Sequence, residues 1–298
     1  MSTLEGAGLL IVDKAAGMTS HDVVARCRKL LHTKKIGHAG TLDPMATGVL
    51  VLGVDRATKM LGLLALTTKS YTATIRLGAA TTTDDAEGEV VSTASASHIT
   101  DAEIAGHVAA LTGEIAQVPS SVSAIKIDGR RAHALIRAGE EVVLPPRQVV
   151  VSKFDVLARR DEADGFVDLD VEVDCSSGTY IRALARDLGT ALGVGGHLTA
   201  LRRTVVGPFT LEHARTLEEL ADEPAVSLDI DTAALTAFPH RTIDADEAES
   251  LSQGRWLEPI GLSGVYATVD SEGRAIALVQ EKGKRAASVM VVRPATLR

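Results

Sequence analysis

Two alternating apolar runs, Val149–Leu157 and Phe166–Cys175, are separated by little more than the polar turn Asp161-Glu162-Ala163-Asp164-Gly165. That gap suits a hairpin and excludes the crossover helix that parallel neighbours require. Further strand-like runs follow at Leu198–Val206, Val265–Val269, Ala275–Val279 and Ser288–Val292, the last three punctuated by Gly264, Gly273 and Gly283. Strands without intervening helices thus predominate after residue 147. The pattern predicts an α+β fold, with a mixed, largely antiparallel central sheet flanked by helices, rather than a doubly wound one.

The first half supplies helices as well as strands. Leu9–Asp13 reads as a buried strand, and Ser70–Leu77 as a strand with Tyr71, Ala73, Ile75 and Leu77 on one face. Thr19-Ser20 offers a cap to a helix whose Val23, Val24, Cys27, Leu30 and Leu31 recur at helical spacing. Leu61–Leu66 reads as a buried helical stretch. Thr100 and Glu103 form a capping box for a helix over about 101–111. Ser176-Ser177-Gly178-Thr179 leads into another helix through Ile181, Leu184, Ala185 and Leu188. Residues 117–146, with Pro119, Gly129, Gly139, Pro145 and Pro146 around a basic middle, read as an extended arm. Beyond Ala237 the composition shifts to a short helix at Asp244–Ser252 and a small β-rich segment, giving expected domains of 1–237 and 238–298.

Cys27 and Cys175 have no metal-ligand spacing and read as core thiols in a reducing compartment. With no signal-peptide pattern and no membrane-length apolar run, the expectation is a cytoplasmic protein without a membrane partner. The formal net charge of -8 argues against a nucleic-acid partner, but the distribution reverses that. Arg26, Arg28, Lys29, Lys34 and Lys35 cluster without an acid among them. Lys126, Arg130, Arg131, His133 and Arg137 form a second group, Arg202-Arg203 a third, and Lys282, Lys284, Arg285, Arg293 and Arg298 a fourth. Acids concentrate between Glu212 and Glu258. Phosphate binding responds to such local basic faces.

The chemistry centres on Asp43, a lone acid in Gly37-His38-Ala39-Gly40-Thr41-Leu42-Asp43-Pro44-Met45-Ala46-Thr47-Gly48-Val49-Leu50. A tight loop that sets a carboxylate against buried strands requires a partner for it. Tyr71, Tyr180 and Arg182 stand where a core would not choose them, and arginine at a helix start opposes the helix dipole. Pairing with a carboxylate explains that placement, whether it serves chemistry or only ties two loops together. No metal-ligand cluster, phosphate-binding glycine loop or nucleophile elbow offers another centre. Gly193-Val194-Gly195-Gly196-His197 follows a helix and reads as its C-cap and turn.

Read together, Gly37–Leu50, Asp13-Lys14, Gly17-Met18-Thr19-Ser20, Ser70-Tyr71, Gly178-Thr179-Tyr180-Ile181-Arg182 and Leu201-Arg202-Arg203 closely resemble the bacterial tRNA pseudouridine-55 synthases, the TruB family. The resemblance runs in order from residue 8 to about 210, departing at Ala15, where the family commonly has proline. It implies the pseudouridine synthase fold and isomerisation of uridine in the tRNA T-arm without cofactor or metal. The N1–C1′ bond is broken and C5 is joined to C1′.

By the same resemblance, Asp43 is the essential acid, Tyr71 stacks on uracil and is a candidate for proton transfer, and Arg182 pairs with the acid. Tyr180 and Leu201 line the pocket, Lys14 supports it, and His38 fills the space of the flipped base. A polar surface histidine would look the same in sequence. Residues 124–146 correspond to a thumb closing over RNA. Arg26, Lys29, Lys34, Lys35, Arg130, Arg131, Arg202 and Arg203 are its expected backbone contacts. The C-terminal segment resembles a shortened PUA RNA-binding domain. The partner implied is tRNA, and since the sequence gives no strong sign of oligomerisation, a monomer is expected. Whether Asp43 acts at C1′, C6 or C2′ stays open, and a tRNA-folding chaperone or a carboxylate hydrolase are the rival readings.

Overall fold

Every residue from Gly8 to Val12 is buried, and together with Asp13 and Lys14 they form strand β1 (Gly8–Lys14). Here and below, the computed structural model describes residues 4–120 and 144–297, and the backbone of Lys126–Ile127 and Arg130–Arg131. The chain forms two compact units, one of residues 1–66 with 206–298 and one of residues 67–205.

In the first unit, helix α1 (Ser20–Leu30) starts at Thr19, whose side chain accepts from the Asp22 amide while the Asp22 carboxylate accepts from the Thr19 amide. Val23, Val24 and Cys27 face the core, and Arg26, Arg28 and Lys29 face solvent, as the helical spacing predicts. Strands β2 (Ile36–Ala39) and β3 (Thr47–Val54) follow, and β3 pairs antiparallel with both β1 and β2. A 3-10 turn leads into α2 (Leu61–Leu64), a single turn in which only Leu64 is fully buried. The buried helix expected over Leu61–Leu66 is therefore shorter, and Leu66 is 73% exposed.

The second unit opens with β4 (Lys69–Leu77), whose buried Tyr71, Ala73, Ile75 and Leu77 alternate with less buried neighbours. Strands β5 (Ala79–Thr81) and β6 (Val90–Thr93) form a ribbon around the polar turn between them. Helix α3 (Asp101–Ala110) carries the Thr100–Glu103 capping box. Strand β7 (Gly113–Gln117) is followed by the short antiparallel pair β8 (Lys126–Ile127) and β9 (Arg130–Arg131). Most of the thumb expected over 124–146 lies outside the described residues. Strands β10 (Arg147–Asp161) and β11 (Val167–Cys175) make the expected hairpin, with the Glu162 amide donating to the Phe166 carbonyl across its turn. After helix α4 (Ile181–Ala191) comes β12 (Gly196–Val206), and the order across this unit's sheet is β12-β4-β11-β10-β7. Helix α4 lies so close to the start of β12 that a Cβ on Gly189 would sit 2.1 Å from the Gly196 nitrogen. Glycine is the side chain that fits there.

The chain then adds β13 (Phe209–Thr210), α5 (Leu217–Asp222), β14 (Leu228–Asp229) and α6 (Ile230–Ala237) to the first unit. Strand β14 pairs antiparallel with β1. Strand β15 (His240–Thr242), α7 (Ala245–Ser252), β16 (Val265–Val269), β17 (Ala275–Lys282) and β18 (Arg285–Val291) complete it. Their sheet runs β15-β16-β17-β18, parallel at the first pairing and antiparallel at the others. The last strand starts three residues before the expected Ser288, because the Gly283 turn folds Lys282 directly against Arg285. The architecture is α+β with largely antiparallel sheets and a C-terminal β-rich part, as the strand pattern predicts.

Candidate active site

The loop bearing Asp43 is fastened from below. Lys14, the last residue of β1, is fully buried, and its ammonium donates to the carbonyls of Ala15 (2.9 Å), Met18 (2.8 Å) and Pro44 (3.2 Å). A buried cation is tolerable because such acceptors replace its water. Lys14 thereby ties the 15–18 turn to the residue after Asp43, and the Gly17 amide adds a bond to the same Pro44 carbonyl at 2.8 Å. On the other side, the buried Ser20 hydroxyl donates to the Leu42 carbonyl (3.1 Å) and accepts from the Leu42 amide (2.9 Å). The residues before and after Asp43 are thus held by their backbone, which restricts how far the carboxylate can wander.

Leu42 and Ala46 are buried, whereas Asp43 itself is half-buried. Its carboxylate is neither fully enclosed nor fully exposed. His38 departs from expectation. It lies on β2 opposite Leu52, not in a glycine-flanked loop, and packs edge-on against His21 at 5.5 Å between ring centroids. Gly37 opposite Gly53 allowed the strand to form where the glycines suggested a turn.

In the unit of residues 67–205, Arg182 sits in the first turn of α4 and is 4% exposed. Its guanidinium donates to the Thr83 carbonyl at 2.8 Å and lies 3.5 Å from the Asp85 carboxylate. Asp85 divides its oxygens: Oδ1 accepts from the Thr83 hydroxyl and the Glu87 amide, and Oδ2 faces Arg182. One turn along α4, Arg186 lies 3.3 Å from the Asp84 carboxylate and donates to the Val118 carbonyl at 2.6 Å. Two successive acids of the 81–88 turn therefore meet two arginines spaced four apart on one helix face.

Tyr180 is the N-cap of α4 and has no side-chain cap bond of its own. Gln117, buried at the end of β7, accepts from the Tyr180 amide (2.8 Å) and donates to its carbonyl (3.1 Å). Tyr71 is buried on β4 opposite Val173, and Leu201 is buried on β12. Lys69, two residues before Tyr71, is buried as well. Burial, aided by the nearby Arg203 charge, pushes its ammonium down to about 8. Burial pushes the Cys27 and Cys175 thiols up to about 11, in keeping with inert core thiols.

Of the expected phosphate contacts, Arg26, Lys29, Lys34 and Lys35 are exposed and Arg202 is half-buried. Arg203 is 1% exposed, because alternation along β12 turns it inward, so it is not a surface contact. The side chains of Arg130 and Arg131 lie outside the described residues. In the tail cluster, Arg293 is a tether rather than a free cation, bonding Asp231 and the Ala275 carbonyl. Ser20, Asp85 and Gln117 escaped the sequence reading. Only Ser20, in the cap motif, left a local signal, and that signal pointed to the helix rather than to Leu42.

A family described as TruB family pseudouridylate synthase (N terminal domain) matches residues 28–181. Residues 182–238 match the tRNA pseudouridylate synthase B C-terminal domain, and residues 238–293 match the C-terminal domain of tRNA pseudouridine synthase II. The chain belongs to the TruB family of pseudouridylate synthases.

Among its TruB relatives, the tRNA pseudouridine synthase B of Rhodococcus jostii (strain RHA1) is 78% identical over 298 residues, covering 100% of this chain and 97% of that protein. The protein of the same name from Mycobacteroides abscessus is 63% identical over 294 residues, covering 99% of each. Among solved structures, an H/ACA RNP bound to a substrate RNA containing 2′-deoxyuridine includes a chain that is 25% identical with a TM-score of 0.73. That alignment covers 98% of this chain and 86% of the other. A Cbf5-Nop10-Gar1 complex gives 26% identity and the same TM-score, over 99% of this chain and 87% of that one.

Proposed function

We propose that this chain isomerises uridine to pseudouridine at position 55 in the T-arm of tRNA. The full-length identity with proteins named tRNA pseudouridine synthase B carries the reading. The local geometry supports it, because a half-buried acid on a doubly fastened loop suits a reaction that depends on placing one carboxylate against a sugar–base linkage.

In this reading the target uridine leaves its stack, at a cost of roughly a few kcal/mol. Tyr71 stacks on the uracil and can return about 1–3 kcal/mol. Asp43 is the catalytic acid, acting at C1′, C6 or C2′ of the nucleotide. Arg182 pairs with Asp43 and keeps it ionised, which a guanidinium can do because it retains its proton. Lys14 positions the Asp43 loop, Tyr180 and Leu201 line the base site, His38 fills the space the flipped base leaves, and Arg26, Lys29, Lys34, Lys35 and Arg202 hold phosphates. Residues 1–237 would carry the chemistry and 238–298 would add RNA affinity. The product has the same atoms as the substrate, so the chemistry needs no external oxidant or energy source.

The test is Asp43→Asn, with pseudouridine in tRNA mapped by mass and chemical methods. Expected is loss of product with tRNA affinity held within a few-fold. Continued conversion by the variant would remove Asp43 from the chemistry. Tight tRNA binding by wild type without product would favour a folding chaperone.

A further inference from the structure

The chain has one tryptophan, and it is not in the core. Trp256 lies between α7 and β16 and is 48% exposed. Its surroundings explain the outward orientation. The next residue, Leu257, forms an antiparallel bridge with Ala286, each donating its amide to the other's carbonyl at 3.0 and 2.8 Å. Leu257 and Ala286 both point inward and are buried. Because side chains alternate along extended chain, their neighbours Trp256 and Arg285 turn to the opposite, solvent side. There the Arg285 guanidinium lies over the indole, 5.1 Å from the ring centroid.

A ring whose only task was to seal the sheet would be buried, as Tyr266 is on β16. Trp256 instead leaves about half its surface to water while a cation rests on its π-system. Around it the exposed charges are mainly positive: Arg255, Lys282, Lys284 and Arg285. The nearby acids keep their charge but are tied to local donors. The Glu281 carboxylate accepts from the Ile260 and Gly261 amides and the Tyr266 hydroxyl, and the Glu249 carboxylate accepts from Gln253. Glu249 and Glu258 are exposed acids of the same segment. An accessible aromatic face with an arginine against it and flanking cations is the chemistry that holds single-stranded nucleic acid.

We propose that Trp256 and Arg285 form a stacking site for an unpaired nucleobase of the RNA substrate, with Lys282 and Lys284 on its phosphates. The proposal rests on the RNA-substrate reading above and adds a second point of contact to it. Stacking of this kind tolerates any base, so the site adds affinity and not sequence choice.

Since Trp256 is the sole tryptophan, its fluorescence reports the site directly in the full-length wild-type protein. Titration with oligouridylate and with tRNA is expected to quench it saturably, and a fully paired RNA duplex of the same length is expected to quench it far less. Trp256→Ala is expected to weaken tRNA binding by about five- to a hundredfold, with Trp256→Phe recovering most of the loss. Arg285→Gln is expected to weaken binding and flatten its salt dependence. Equal quenching by duplex and single strand, or no quenching by tRNA, would overturn the proposal whatever the variants do. Pseudouridine formation by wild type is scored separately, so failure of the reaction reading is distinguishable from failure of the stacking site.

Discussion

Three side chains show how this fold handles buried charge. Lys14 is enclosed by backbone carbonyls, and Arg182 faces the Thr83 carbonyl and the Asp85 carboxylate. Lys69 is the costly one. Its ammonium donates to the Thr67 carbonyl at 2.9 Å, yet burial and the Arg203 charge hold it well below an ordinary lysine. The consequence for stability has a definite sign. Below about pH 8 the fold must keep a desolvated cation, a penalty the unfolded chain does not share. Between about 8 and the ordinary lysine value, the folded protein has released that proton while the unfolded chain still binds it, so raising pH favours folding. Lys69→Met is therefore expected to be more stable than wild type at neutral pH, with the gap closing over that window. Urea denaturation at several pH values measures it, and a gap that does not change with pH would show that Lys69 carries no such penalty. Taking the difference cancels the opposite contribution of the Cys27 thiol, whose shift does not involve Lys69.

At the scale of elements, short-range signals proved readable and long-range ones did not. The period of two from Tyr71 to Leu77, the helix cap at Thr19 and the capping box at Thr100 lie within a few residues of what they specify, and each formed as expected. The glycines around His38 misled because a glycine facing a glycine across a ladder is as extended as any other pair. Arg203 misled because paired arginines in a strand must point to opposite faces. Ser20 to Leu42, Gln117 to Tyr180 and Asp85 to Arg182 join residues far apart in sequence, so periodicity holds no trace of them. Ser20 offers the sharpest test. Ser20→Ala leaves α1 its Thr19 cap but orphans a buried amide and carbonyl of Leu42, which costs roughly 1–3 kcal/mol. Turnover is expected to fall while the tRNA dissociation constant changes little, because the change loosens the Asp43 loop and not a phosphate contact. A variant with unaltered turnover would show that the loop holds its shape without the serine.

For the molecule as a whole, the change in composition after Ala237 invites a cut between 237 and 238, but the core of the first unit does not respect it. Ala267, Val269, Ala275, Leu278, Met290 and Val292 belong to one buried cluster with Leu9, Ile11, Val49, Val51, Ile230 and Ala234. Arg293 reinforces the join by bonding Asp231 at the start of α6, and Arg56 donates to the Val291 carbonyl. Removing residues 238–298 would expose the apolar face that α6 packs on β17 and open the cluster they share. Each large side chain so uncovered forfeits about 1.5–3 kcal/mol, and a few of them equal the entire stability of a typical domain. The truncated chain is therefore expected to lose its cooperative thermal transition or become insoluble, rather than to act as a catalytic domain with weakened RNA affinity. Calorimetry of the purified truncation decides the point. A sharp transition near the wild-type midpoint, with pseudouridine still formed, would show that the segment is a removable binding module. Loss of the transition would mean that RNA binding by this segment is best dissected by point substitutions that leave the shared core intact.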